Sequence, residues 1–84
     1  MAGVGGGWRQ AAKAFRDARV LSHEAGFGLQ EGDAAMHEGI ACREAGKYAE
    51  ARECLRLALA IFTRLTAQPQ RERVLAELAL VPDD

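Results

Sequence analysis

The stretch "REAGKYAEARECLRLAL", residues 43–59, carries a helical pattern that is interrupted once, at Gly46. Strong helix formers run up to this glycine and resume at Tyr48, so only two residues separate the two segments. After the break, apolar residues recur at three- and four-residue steps and form one stripe: Tyr48, Ala51, Leu55, Ala58, Leu59, Phe62 and Leu65. This pattern predicts two helices joined by a tight turn, the second of them running from residue 48 to about 66.

Helical patterns also cover the rest of the chain. An amphipathic segment spans residues 8–25, and Gly26 suits the left-handed conformation that ends many helices. A second helix is expected to start between Leu29 and Asp33, with Asp33 as a candidate N-cap, and to end at the break described above. A fourth, shorter helix is expected over about residues 70–80. Four helices joined by short turns predict an all-α fold of antiparallel neighbours.

The composition supports this fold class and bounds its size. A chain of 84 residues suits one small domain, and the helix-favouring residues Ala, Leu, Arg and Glu dominate it. We expect the helical domain to span residues 8–81. A flexible glycine-rich segment, 1–7, is expected before it and a short tail, 82–84, after it.

The charges nearly cancel, with 11 basic and 12 acidic side chains and a net charge of −1. Such a balance provides no field that would attract nucleic acid or an anionic membrane. No apolar run approaches the ~20 residues of a membrane span, and the first residues lack the pattern of a signal peptide. We therefore expect a cytoplasmic protein that binds neither nucleic acid nor membranes.

The residue types that carry catalysis or bind metals are few and dispersed. His23 and His37 lie on different predicted helices, and His37 and Cys42 are five positions apart, off the spacing that aligns two ligands on one helix face. Cys42 and Cys54 lie on apolar stripes and are interpreted as buried thiols in a reducing compartment, with a bridge between neighbouring helices as the alternative. The sequence thus predicts no enzyme, no metal, no cofactor and no small-molecule substrate.

The chain resembles itself when it is shifted by 40 residues. The shift pairs Gly6 with Gly46, Trp8 with Tyr48, Ala11 with Ala51, Phe15 with Leu55, Ala18 with Ala58 and Leu21 with Ile61. It also pairs the second helix with the fourth, more loosely. Two alanines with a large residue between them let the backbone of a partner helix approach closely. The repeat therefore predicts that the first and third helices are equivalent units.

The segment "GIACREAGKYAEARECLRLAL", residues 39–59, resembles a tetratricopeptide repeat. The residues that stand at the positions of that family's motif are Gly39, Cys42, Gly46, Tyr48, Ala51, Leu55 and Ala58. The 40-residue step is similar to that of the longer repeats of kinesin light chains and bacterial signalling regulators. Glu38 departs from the pattern, which usually has leucine there, so we expect the second helix to be rotated or this position to be exposed.

The resemblance implies a protein-interaction module, in which the first helix of a repeat lines a groove for an extended peptide or a partner helix. Carried onto this chain, the groove positions are Asp33, Met36, Ile40, Arg43 and Glu44, with His37 at the edge. The alternative is that the apolar members of this set belong to the core and the charged members to ordinary surface. The alternative function is a structural helical bundle that forms a homodimer through exposed apolar faces.

Overall fold

A computed structural model describes the backbone of residues 2–82 and the side chains of residues 7–82. Four helices follow one another along the chain: α1 (Ala2–Ala25), α2 (Gly28–Glu44), α3 (Tyr48–Arg64) and α4 (Gln68–Ala79). Each helix packs on the next one in the sequence, and no strand occurs within residues 2–82. The predicted all-α fold of four antiparallel helices is confirmed.

Two helix boundaries differ from the expected ones. α1 begins at Ala2, so residues 2–7, which we expected to form a flexible lead, belong to its first turns. Extending an existing helix by one residue costs much less free energy than starting a helix. Glycines can therefore join the first turns of α1. α2 begins at Gly28 with Phe27 as its N-cap, and no side chain caps it. Asp33 therefore lies in the second turn of α2 and is not its N-cap.

The three connections between helices share one geometry. Gly26, Gly46 and Thr66 follow at a constant spacing of 20 residues and have positive φ angles of 78°, 80° and 56°. In each connection the amide N–H of the next residue donates to a carbonyl oxygen five positions back, at 2.8, 2.8 and 2.9 Å. This is the Schellman motif, in which a left-handed residue ends a helix. The predicted roles of Gly26 and Gly46 are confirmed.

Thr66 is the strained member of this set of turns. The left-handed conformation is unfavourable by roughly 1–2 kcal/mol for a residue with a side chain, and glycine adopts it readily. Glycine also gives the unfolded chain more freedom, which offsets part of this gain. We therefore expect Thr66→Gly to raise the free energy of unfolding by about 1 kcal/mol in urea denaturation. Gly46→Ala is the reverse control, because a Cβ added there would meet nothing within 4 Å and only the backbone would be strained. A Thr66→Gly variant less stable than the wild type would contradict this interpretation.

α2 and α3 approach each other closely at two glycines. A Cβ added to Gly32 would lie 2.5 Å from the ring of Phe62. A Cβ added to Gly39 would lie 2.7 Å from the Leu55 side chain and 3.2 Å from the carbonyl oxygen of Ala51. Because Phe62, Leu55 and Ala51 are fully buried, these contacts form the centre of the core. The predicted close packing along the α3 stripe is therefore confirmed.

Candidate functional site

The structure separates the six residues that were predicted to line a groove on α2. Met36 is 1% exposed, and Ile40 is half-buried against the core. A side chain as buried as Met36 cannot contact a partner, so Met36 belongs to the core, as the alternative interpretation held. Asp33 and Glu44 are exposed.

His37 is held against α1. Its ring stacks on Phe15 with 5.5 Å between the ring centroids and 30° between the planes. Its Nδ1 donates to the backbone carbonyl oxygen of Asp33 at 2.8 Å. The ring contact and the hydrogen bond fix the imidazole on the α1 side of α2. His37 therefore packs on α1.

Arg43 links α2 to α4. Its guanidinium donates to the carboxylate of Glu77, and the two side chains are 18% and 19% exposed. Breaking a pair that is this far withdrawn from water leaves one charge without compensation. Arg43 thus stabilises the contact between α2 and α4, and a ligand would have to compete with Glu77 for its guanidinium.

An apolar surface that the sequence reasoning missed lies where the α1–α2 and α3–α4 turns meet. Phe27, Leu29 and Leu65 are 56%, 50% and 40% exposed there. They border a cavity of about 520 Å³, which we name the turn cavity. Its lining consists of Gly26, Phe27, Gly28, Leu29, Gln30, Leu65, Ala67 and Gln70. Apolar side chains gathered in this way on a surface mark a place where another molecule can bind.

The turn cavity continues along α2. Leu29, Gln30 and Gln70 also line a second cavity of about 230 Å³, which reaches Asp33. The two cavities form one surface that is apolar at the turns and polar at the Asp33 carboxylate. The available sequence signal was the pair of large apolar residues within "GFGL", residues 26–29, which we treated only as a link.

Glu38 is buried between α1 and α2, with 5% of its surface exposed. The Nε atoms of Arg16 and Arg19 lie 3.3 Å and 3.8 Å from its carboxylate oxygens. The expectation of an exposed position is therefore wrong, because two arginines of α1 neutralise a carboxylate that stays inside. Within the described part of the chain, the Nε of Arg19 and the Oε1 of Glu38 have no hydrogen-bond partner.

Cys42 and Cys54 face the same region from α2 and α3. With Glu38 and the two arginines they line a cavity of about 360 Å³, and both are free thiols. Cys42 is buried, as interpreted from the sequence, whereas Cys54 is half-buried. Burial, and after it the Glu38 carboxylate, raises the pKa of Cys42 above its ordinary value and the pKa of Cys54 to about 12. Both thiols are therefore protonated at neutral pH, which makes them poor nucleophiles.

Within residues 2–82, no helix has both the length and the apolar character needed to cross a membrane. In the same part of the chain, no group of three or more His, Cys, Asp or Glu side chains could hold a metal ion. Comparison of the chain with protein-family models, with curated proteins and with solved structures finds no match. The resemblance to tetratricopeptide repeats therefore stays a prediction based on the residues quoted above.

Proposed function

We propose that this chain is a non-catalytic protein-interaction module that binds a peptide or a helix of a partner protein along α2. The observation that carries the proposal is the turn cavity, where Phe27, Leu29 and Leu65 expose their side chains around one concave surface. Burial of an apolar anchor residue in such a pocket supplies much of the free energy of a peptide interface.

The polar groups beside the turn cavity favour a particular class of ligand. Asp33, Gln30 and Gln70 line the smaller cavity and supply one carboxylate and two amide groups. The amides can donate to and accept from the backbone of an extended peptide. A Lys or Arg next to the apolar anchor would place its charge at the Asp33 carboxylate. The ligand we propose therefore carries a large apolar residue beside a basic one.

The cavity beside Glu38 is a poorer candidate for a functional site than the turn cavity, because its side chains are unsuited to catalysis. A thiol nucleophile needs a lowered pKa or a neighbouring base, and the pKa values of Cys42 and Cys54 are raised. The Glu38 carboxylate already interacts with two arginines. Ion pairing is the chemistry that this arrangement favours. Unbridged thiols suit a reducing compartment, so we propose a cytoplasmic location.

A random peptide library displayed on phage tests the proposed function. We expect selection on the wild-type chain to enrich peptides in which a large apolar residue neighbours Lys or Arg. Fluorescence anisotropy of these peptides should show dissociation constants about tenfold higher or more for Leu29→Asp, since a buried carboxylate would replace the apolar contact. Asp33→Asn should weaken only the peptides with a basic residue.

Val20→Asp is the matched control for this experiment. Val20 is 46% exposed on α1 and does not belong to the lining of the turn cavity. Its replacement should leave the dissociation constants unchanged, and circular dichroism should show that each variant remains helical. Peptides that bind Leu29→Asp as tightly as the wild type, or a library that yields no binder, would contradict the proposal.

A further inference from the structure

Helices α1 and α3 carry the same apolar pattern but are covered to different degrees. α2 packs on the α3 stripe. Four residues of α3 are at most 2% exposed: Ala51, Leu55, Ala58 and Ile61. Their counterparts 40 positions earlier, which we name the α1 face, are Ala11, Phe15, Ala18 and Leu21. Ala18 is exposed, Leu21 is 65% exposed, and the other two are half-buried. Within residues 2–82, no helix covers the α1 face as α2 covers α3.

Helix α4 likewise exposes residues whose counterparts in α2 are buried. The α2 residues that share the side packed on α3 are Gly32, Ala35 and Gly39, and all three are buried. Their counterparts 40 positions later, which we name the α4 face, are Glu72, Leu75 and Ala79. All three are exposed, with 41% of the Leu75 surface open to solvent. The repeat thus leaves one face of each kind open.

The α4 face and the α1 face match in side-chain volume at the positions equivalent to the Gly32–Phe62 contact. α2 and α3 oppose Gly32 to Phe62, and the equivalent positions of α4 and α1 hold Glu72 and Ser22. The large and the small residue have changed sides, so the sum of the two side-chain volumes is roughly kept. The Ser22 hydroxyl can also donate to the Glu72 carboxylate.

The second close contact shows the same exchange. α2 and α3 oppose Gly28 to the side chain of Leu65, and the equivalent positions of α4 and α1 hold Gln68 and Ala25. Two independent exchanges of this kind indicate that the α4 face fits the α1 face better than it would fit α3.

The third close contact keeps its small and large partners. Ala79 would oppose Phe15 as Gly39 opposes Leu55. Leu75, beside Ala79 on the same face, then takes the place of a fully buried alanine, Ala35. The contact that results is apolar at Leu75, Ala79 and Phe15, and the polar Glu72–Ser22 pair takes the place of the Gly32–Phe62 contact.

From these correspondences we infer that α4 of one copy of this chain packs on α1 of a second copy, in the way that α2 packs on α3 within one copy. This self-association goes beyond the proposed function and uses a surface other than the turn cavity. The two surfaces in contact differ, so each copy keeps one open face, and the assembly extends into a filament or closes into a ring.

Two charge substitutions and their mixture test this inference. Wild-type chain should increase in mass with concentration in light scattering coupled to size exclusion. Ala18→Arg, on the α1 face, and Leu75→Glu, on the α4 face, should each be monomeric, because either one blocks the single kind of contact. An equal mixture of the two variants should form a dimer of one copy of each, since one intact face of each kind remains. Ala49→Arg, an exposed alanine of α3 outside both faces, should associate like the wild type.

Three outcomes would overturn the inference. A wild-type chain that stays monomeric at millimolar concentration has no such contact. A mixture of Ala18→Arg and Leu75→Glu that stays monomeric would exclude a contact between unlike faces. Association that survives in either variant alone would show that two like faces meet. Leu29→Asp should not change the association, so a failure of the peptide experiment and a failure of this one can be told apart.

Discussion

Gly32→Ala is expected to lower the free energy of unfolding by about 2 kcal/mol, although alanine favours a helix over glycine by about 1 kcal/mol. The added Cβ would lie 2.5 and 2.7 Å from two carbon atoms of the Phe62 ring. Phe62 is fully buried at the contact of α2 and α3, so its ring cannot move into solvent and has to move against other core side chains. Either the ring leaves its rotamer or the two helices separate, and both weaken the core. Urea denaturation of the purified variant measures the loss.

Two companion variants isolate the cause of this loss. Gly7→Ala places the same methyl group in α1, where it would meet nothing within 4 Å, and it should be neutral or stabilising. Phe62→Leu removes part of the ring, so the loss caused by Gly32→Ala should shrink in a Phe62→Leu background. Equal losses in both backgrounds would show that the ring is not the obstacle.

Glu38→Ala is the second substitution with a large expected effect, a loss of about 2–3 kcal/mol in the free energy of unfolding. The carboxylate is the charge that compensates Arg19, whose side chain is 26% exposed. Arg16 is 57% exposed and can turn to water, which limits the loss. The truncation also leaves empty space between α1 and α2, and this adds to the loss.

The double variant Glu38→Leu with Arg19→Met distinguishes the charge effect from the packing effect. Replacing a buried ion pair by apolar residues of similar volume is often nearly neutral. We therefore expect the double variant to be within about 1 kcal/mol of the wild type in the same denaturation experiment. A Glu38→Ala variant as stable as the wild type would show that the ion pairs between α1 and α2 contribute nothing.

The helices could be predicted from the sequence because their signals are local. The break at Gly46 and the stripe that begins at Tyr48 lie within a few residues of each other, and the structure starts α3 at Tyr48. Asp33 shows the limit of such signals. Its side chain suits an N-cap, but α2 begins at Gly28 without any side-chain cap. Local preference decided neither the start of α2 nor that of α1.

The environment of Glu38 could not be predicted, since it depends on partners far away in the sequence. Arg16 is 22 positions from Glu38, and their contact exists only because the Gly26 turn brings α1 back along α2. Without these partners a glutamate in a helical stripe indicates an exposed position. The misreading of Met36 has a similar origin, because the resemblance gave its position in a motif but not the depth of its burial.

The turn cavity was missed for a related reason. It forms because the first and third turns lie at the same end of the molecule, which brings Phe27 and Leu29 to Leu65. The sequence showed a glycine-rich link and a helix end 36 or more residues apart. Only the antiparallel arrangement of four helices makes them neighbours.

The equal spacing of the three turns has a consequence for how the length of this molecule can change. A helix and the turn after it always occupy the same stretch of chain, from Gly26 to Gly46 and from Gly46 to Thr66. A single residue added to or deleted from the middle of a helix would rotate the rest of that helix by about 100° and turn its buried side chains away from the core. An added or removed pair of helices with their turns would leave every remaining contact in phase. We therefore expect this fold to accept the addition or removal of a whole helical hairpin more readily than that of one residue within a helix.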